Sequence, residues 1–71
     1  MADRESLENW AAQRGVIIET TRIGHAAKVT AVDPVTLKEV SLTGPSNYDM
    51  RALGLMAARK LRYVLDKEGK R

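Results

Sequence analysis

Residues 45–65, PSNYDMRALGLMAARKLRYVL, decide the fold of this chain. After a break at Gly44-Pro45, Ser46 or Asn47 can cap a helix that continues to about Lys67. At about 100° per residue, the apolar side chains of this segment fall on one continuous helix face. A helix with one apolar face must bury it against another element. The residues of this face are Met50, Leu53, Gly54, Ala57, Leu61, Val64 and Leu65.

The segment before this helix predicts three antiparallel strands. β-branched residues dominate positions 16–23, and apolar and polar residues alternate over 26–32 and again over about 37–43. Gly24-His25 and residues 33–36 carry the turn signals that separate these strands. Leu37 stands where such a turn commonly has glycine, which predicts a longer or looser loop there.

A short first helix is predicted over residues 3–14. Asp3 can cap its first turn, and Gly15 can adopt the left-handed conformation that commonly ends a helix. One thin stripe on this helix must pack on the rest of the domain. The stripe consists of Leu7, Trp10, Ala11 and Arg14 at spacings of three, four and seven residues.

The element order predicts an α+β fold, α-β-β-β-α, with a three-stranded antiparallel sheet and two helices packed on one face. We expect one small domain over residues 1–71, with a basic tail that frays from about residue 67. The strand faces are the least determined part, because residues 16–23 are apolar on both sides. The expected core is Leu7, Trp10, Ile18, Val29, Ala31, Val40, Leu42, Met50, Leu53, Ala57, Leu61, Val64 and Leu65.

Length, charge and cysteine content exclude several classes of protein. The chain has 71 residues, of which 44% are hydrophobic, and contains no apolar run long enough for a membrane span. Without cysteine there is neither a disulfide scaffold nor a thiolate zinc site, and we expect a cytoplasmic protein. The net charge is +3, and the basic excess is confined to residues 46–71, where seven basic residues face three acidic ones. This asymmetry modestly favours binding to a polyanion.

The catalytic inventory is poor, and we expect neither an enzyme nor a cofactor or metal site. The chain has one histidine, His25, and three serines, and its glycines form no phosphate-binding loop. Glu5 and Glu8 lie three residues apart on the first helix, but two carboxylates alone do not make a metal site. If the chain is a subunit of an enzyme, His25 is the candidate titrating group.

The outer face of the long helix carries apolar residues next to cations. A solvated surface accounts for them as well as a contact surface does. The contact interpretation predicts a non-catalytic interaction module that binds an unknown protein partner or a second copy, through this face or through a sheet edge. The candidate interface residues are Leu55, Met56, Arg59 and Tyr63.

Nucleic acid is the alternative partner. Arginines with a neighbouring tyrosine can hold phosphates or stack on bases, and a histidine at a turn can enter a groove. The candidate residues for weak duplex RNA binding are His25, Arg51, Arg59, Lys60 and Arg62.

The order and spacing of these elements resemble the double-stranded RNA-binding domain over about residues 7–65. In that family a first helix and a loop histidine contact successive minor grooves, and a lysine cluster at the last helix contacts the phosphates between them. By this resemblance Gly24-His25 corresponds to the loop, and Glu8 and Gln13 are the groove contacts of the first helix.

The phosphate-contacting segment of that family is only partly present. Residues 44–46 match the Gly-x-Ser that precedes the lysines, and Arg51 falls where the third lysine stands. Asn47 and Tyr48 replace the first two lysines, and residues 53–54 replace an alanine pair. Since phosphate contacts supply most of the affinity for a duplex, the resemblance supports the fold more than the activity. The chain also resembles small bacterial proteins without an assigned role.

Overall fold

A computed structural model describes the backbone of residues 2–70 and the side chains of residues 7–70. Its element order confirms the predicted α-β-β-β-α fold of the α+β class. The elements are α1 (Ala2–Arg14), β1 (Ile17–Ile23), β2 (Ala26–Val32), β3 (Glu39–Pro45) and α2 (Met50–Lys67).

The three strands form one antiparallel sheet in the order β1-β2-β3. Ile17 lies opposite Val32 and Ile23 opposite Ala26, so β1 pairs with β2 along its whole length. β3 pairs with the other side of β2, from Glu39 opposite Val32 to Pro45 opposite Ala26. The sheet therefore has two edges, β1 and β3.

The core lies between the sheet and α2. α2 packs mainly on β2 and β3, and α1 packs against α2. Leu7 of α1 is buried, and Trp10 packs against the core while staying partly exposed. The partly buried residues around the core also include Val16, Val40, Leu42 and Met50. Its buried cluster is Val29, Ala31, Leu53, Ala57, Leu61 and Leu65.

Two parts of the predicted core are different in the structure. Ile18 is 42% exposed, so its placement in the core is wrong, and Val64 is half-buried and lies outside the core cluster. The helix reaches over β2 and β3 and leaves most of β1 uncovered, which no pattern within residues 16–23 can indicate. Ala27 and Ala58 are buried although the sequence did not single them out.

α2 begins later than predicted. Its N-cap is Asp49, whose side chain accepts hydrogen bonds from the N–H groups of Arg51 and Ala52, so a cap at Ser46 or Asn47 is wrong. The chain makes a turn between the sheet and the helix, in which the Tyr48 N–H donates to the Pro45 carbonyl at 3.0 Å. An aspartate at the N-cap satisfies two of the free N–H groups that every helix start leaves.

β3 also lies two residues further along the chain than predicted. Gly44 and Pro45 belong to the strand and do not end it. A Cβ at Gly44 would lie 3.6 Å from the Leu53 side chain, so glycine there lets α2 pack closely on the strand. The connecting loop is correspondingly long, and Leu37 within it has a φ of 66°, the conformation for which glycine is the usual residue.

The C-terminal ends of both helices have defined backbone partners. Gly15 has a φ of 80° and ends α1 as predicted, whereas α1 begins at Ala2 and thus includes Asp3 in its first turn. The capping side chain predicted for Asp3 lies outside the described residues. Beyond α2, the Lys70 N–H donates to the Leu65 carbonyl at 2.8 Å, so residues 68–70 fold back on the helix end.

Candidate interaction site

Hydrogen bonds at both ends of β2 show which backbone groups face each neighbouring strand. The Ser46 N–H donates to the His25 carbonyl, and the Asp33 N–H donates to the Lys38 carbonyl, each at 2.8 Å. Odd-numbered residues of this strand therefore bond toward β3. Because bonding groups alternate along an antiparallel strand, the even-numbered residues bond toward β1.

β1 consequently presents an open hydrogen-bonding edge. Its odd-numbered residues stand opposite the even-numbered residues of β2 and direct their backbone groups inward. The N–H and carbonyl groups of Ile18, Thr20 and Arg22 then point away from the sheet. Within residues 2–70 these outward groups have no hydrogen-bond partner. An unpaired row of this kind is a template for a further strand.

The side chains of β1 are exposed along the whole strand. Ile17 and Ile23, at its two ends, are 49% and 72% exposed and lie on the open face of the sheet. Ile18, Thr20 and Arg22 lie on the helix side. An edge strand with exposed isoleucines is unusual, because such strands are normally short, charged or covered.

A shallow apolar groove adjoins this edge on the helix side, and we call it the β1 groove. Its volume is about 290 Å³. A Cβ at Gly54 would lie 3.5 Å from Ile18 Cγ2, so the glycine leaves room that a side chain would fill. The residues that line it come from α1, β1 and α2, and include Glu8, Ala11, Ile18, Gly54, Leu55 and Ala58.

Two charges stand at the β1 groove. The Arg51 guanidinium lies 3.4 Å from a Glu8 carboxylate oxygen, and both residues line the groove. The Arg51 side chain is largely in solvent, so the pair contributes little to stability. Both charges are therefore available to an incoming side chain at small cost.

The predicted protein-interface residues occupy two places on α2. Leu55, Met56 and Arg59 line a second groove together with Leu7, and Leu55 also lines the β1 groove. Tyr63 lies two turns further along, where the Lys67 ammonium sits 5.6 Å from its ring centre. The sequence did not indicate that Leu55 lies both on the outer face of α2 and beside the β1 edge, because this depends on how α1 is placed.

The predicted nucleic-acid residues do not form one cluster. Lys60 Nζ donates to the Ser41 carbonyl at 3.3 Å, at the β3 edge, while Arg51 points toward α1 on the opposite side of the helix.

Arg59 and Arg62 lie between these two positions around the α2 surface, Arg59 exposed and Arg62 half-buried. His25 is exposed at the hairpin turn, next to the segment that leads into α2.

Asp33 is the buried charged residue of the described core, and sequence reasoning assigned it only a turn role. Its carboxylate accepts hydrogen bonds from Arg14 Nε at 2.7 Å and Arg14 Nη2 at 3.0 Å. It also accepts from the N–H groups of Val35 and Thr36 and from the Thr36 hydroxyl. Arg14 donates in addition to the Lys70 carbonyl, so the pair ties α1, the β2–β3 loop and the chain after α2 together. The place of Arg14 on the stripe of α1 was the signal for this contact.

The Arg14–Asp33 contact has the chemistry of a structural ion pair. The bidentate Arg14 guanidinium holds the pKa of Asp33 well below its usual range, and the loop N–H groups act in the same direction. The same contact raises the pKa of Arg14. Both carboxylate oxygens already have several donors, so no lone pair is left for a substrate or a metal ion.

Metal and membrane sites have no counterpart in the described part of the chain. Within the described residues, 2–70 for the backbone and 7–70 for the side chains, no group of three or more histidine, aspartate or glutamate side chains could hold a metal ion. In the same range, no helix is long and apolar enough to cross a membrane.

Comparison with known proteins identifies a family by its sequence. The model of a family described as a domain of unknown function, DUF6898, matches residues 13–68. This range contains all of the sheet, all of α2 and both members of the Arg14–Asp33 pair. No curated protein and no solved structure matches the chain.

Proposed function

The chain belongs to the DUF6898 family, and we propose that it is a non-catalytic interaction module that binds an extended protein segment along β1. The segment adds a fourth strand to the sheet. It places an apolar side chain, or the apolar stem of a long one, in the β1 groove. Main-chain hydrogen bonds supply affinity in this recognition mode, and side-chain pockets supply specificity.

The open edge of β1 is the single observation that carries this proposal. Its outward N–H and carbonyl groups at Ile18, Thr20 and Arg22 have no partner within residues 2–70. The strand has seven residues and contains no proline to prevent pairing. Its isoleucines lose apolar exposure when a further strand arrives.

The β1 groove adds side-chain recognition to the edge. Ile18 belongs to both features, because its backbone groups face outward and its side chain lines the groove. A strand paired with Ile18 therefore directs alternate side chains toward Gly54 and Ala58. Leu55, predicted from the sequence as an interface residue, lines the same groove.

In-cell crosslinking tests the proposal on the full chain. A photoreactive amino acid replaces Arg22, which is exposed at the β1 edge, and in a matched control it replaces Thr43 at the β3 edge. We expect adducts at position 22 that map to one extended segment. The same adducts should disappear when Thr20→Pro is added, because that change removes an outward donor.

Adducts that are no more abundant at position 22 than at position 43 would contradict the proposal. Adducts that survive Thr20→Pro would also contradict it, because they would arise without strand pairing. Circular dichroism of the Thr20→Pro chain shows whether the fold is kept.

Duplex RNA binding is the second candidate, and one contact favours it. The hydrogen bond between the Ser46 N–H and the His25 carbonyl holds the hairpin turn beside the segment that leads to Arg51. A histidine turn and a helix start held together resemble the arrangement that contacts a duplex in the double-stranded RNA-binding domain. Lys60, on the other side of the helix, contributes only to the general positive charge.

Titration of a labelled RNA duplex at two salt concentrations tests this candidate. Affinity that is measurable at low salt and falls at high salt supports phosphate contacts. Replacing Arg51 and Arg59 by glutamine should then weaken binding and lower its salt dependence. Absence of binding at low salt rules the candidate out, because electrostatic contacts are strongest there.

A further inference from the structure

We propose that the strand bound by β1 is β1 of a second copy, paired antiparallel about Thr20, so that two sheets join into one of six strands. This inference rests on the proposed function and names its partner. A two-fold symmetric interface brings the same surface of each copy together, so the strand must be complementary to itself. β1 meets this condition in one register.

The backbone groups fit when Thr20 stands opposite Thr20 of the second copy. Ile18 then stands opposite Arg22 of that copy, and Arg22 opposite its Ile18. All these positions have outward-facing N–H and carbonyl groups, so each pair can exchange both hydrogen bonds of an antiparallel ladder. The register uses all seven residues of the strand.

The side chains on the open face fit the same register. Ile17 of each copy lies opposite Ile23 of the other, so four exposed isoleucines form two apolar pairs. Glu19 stands opposite Thr21, and thus no like charges are directly opposed. A shift of two residues in one direction places Glu19 opposite Glu19, and a shift in the other direction leaves Ile17 beyond the strand.

On the helix side the register brings a cation to the β1 groove. Arg22 of the second copy lies across from Ile18, which lines the groove together with Glu8. The stem of an arginine can cover the isoleucine while its guanidinium reaches outward to a carboxylate. Glu8 is already close to one guanidinium, that of Arg51, through an exposed and weak contact.

Single cysteines test this register, since the natural chain has no cysteine. In Thr20→Cys the two sulfurs face each other across the two-fold axis. Directly opposed residues have Cα atoms about 5.5 Å apart, which suits a disulfide. Thr21→Cys and Thr43→Cys are matched controls on the same strand and on the other edge. Under mild oxidation we expect a disulfide-linked dimer from Thr20→Cys at several times the yield of either control.

Solution mass and hydrogen exchange complete the experiment on the unmodified chain. Light scattering should give a mass that rises from 7.9 kDa toward twice that value with concentration. Exchange of the Ile18, Thr20 and Arg22 amides should slow over the same range, and Thr20→Pro should abolish both changes. Thr43→Pro, an equivalent change at the β3 edge, should leave them in place.

Charge exchange gives a second test that depends on the Ile17–Ile23 pairs. Ile17→Lys and Ile23→Glu should each lose the dimer when alone. Their mixture should recover it, because one Lys–Glu pair and one Ile–Ile pair then form.

A monomer at all concentrations, with Thr20→Cys no more reactive than Thr43→Cys, overturns the inference. A dimer that Thr20→Pro leaves intact, or that Thr21→Cys traps better, also overturns it. If no dimer forms but position 22 still crosslinks to a segment of another protein in cells, the second copy is the wrong partner and the proposed function stands. If neither is found, both fail.

Discussion

The two edges of the sheet, β1 and β3, have the same length and pair with the same strand, yet only β3 carries features that discourage a further strand. On β3 the outward Ser41 carbonyl accepts a hydrogen bond from Lys60, and Pro45 has no N–H to offer. On β1 the outward groups have no partner within residues 2–70. The β3 edge therefore discourages a further strand, and the β1 edge permits one.

The side chains of β3 are also more deeply buried than those of β1. Val40 and Ile18 both stand opposite Ala31, one on each side of β2. Val40 packs against the core, whereas Ile18 is 42% exposed. The difference lies in the position of α2, which covers β3 and leaves β1 open. Two strands of similar apolar character thus acquire different roles from one helix.

Removing the Asp33 charge should have the largest effect, because this residue anchors the loop before β3. We expect Asp33→Asn to lower the free energy of unfolding by about 3 kcal/mol or more, since Arg14 loses its buried partner. Glu19→Gln on exposed β1 is the matched amide exchange and should change it by no more than about 0.5 kcal/mol. Urea denaturation of both variants measures the difference, and equal effects would mean that the pair does not lock the fold.

Proline scanning of β1 should separate inward from outward backbone groups. Thr21→Pro removes an N–H that bonds to β2 and should cost about 2 kcal/mol. Thr20→Pro removes an outward N–H and should cost less than about 1 kcal/mol in the monomer. Thermal unfolding at low protein concentration compares the two. The reverse order would show that the alternation assigned to β1 is wrong.

Acid should weaken the β3 side of the molecule through Asp33. Its pKa is lowered in the folded state by Arg14, so its contribution is present above the unfolded pKa of about 3.9 and is lost as the pH falls below that value. The free energy of unfolding should therefore decrease below about pH 4, and Asp33→Asn should flatten this dependence. Glu68→Gln is the control: Lys38 lowers the pKa of Glu68 too, but at an exposed site where solvent screens the pair. A slope unchanged in Asp33→Asn would contradict the prediction.

Filling the β1 groove should have the smallest effect and the opposite sign. Gly54→Ala gains up to about 1 kcal/mol of helix propensity, and its Cβ would meet Ile18 at an ordinary contact distance of 3.5 Å. We expect a slightly more stable monomer that pairs less well along β1. Gly44→Ala, beside Leu53 on the β3 side, should leave pairing unchanged. Destabilisation by Gly54→Ala would mean that the helix and β1 are packed too closely for any side chain.

Local chemistry explains what could be predicted about the fold. The bounds of β2, the Gly24-His25 turn and the end of α2 at Lys67 agree with the structure. Each depends on neighbours in sequence: alternation, a glycine with a φ of 60°, and the end of an apolar repeat. The placement of Leu53 and Leu61 in the core follows from the same helix periodicity.

The errors arise where distant contacts decide. Ser46 and Asn47 are good helix caps by type, but the turn after Pro45 leaves that role to Asp49. A Gly-Pro pair commonly ends a strand, but Pro45 lies on an edge strand, where its nitrogen can face solvent. Gly44 leaves room for the Leu53 side chain. For the candidate site, Leu55 was predicted from its position on the outer face of α2, whereas the β1 groove requires α1, β1 and α2 together.

The sequence by itself determined the elements and their order, because helix periodicity, strand alternation and turn residues act over a few neighbouring positions. Only the tertiary structure decided which edge of the sheet stays open and where the Arg14–Asp33 pair forms. Those outcomes depend on where α2 lies across the sheet and on contacts between residues far apart in the chain, which local preferences do not encode.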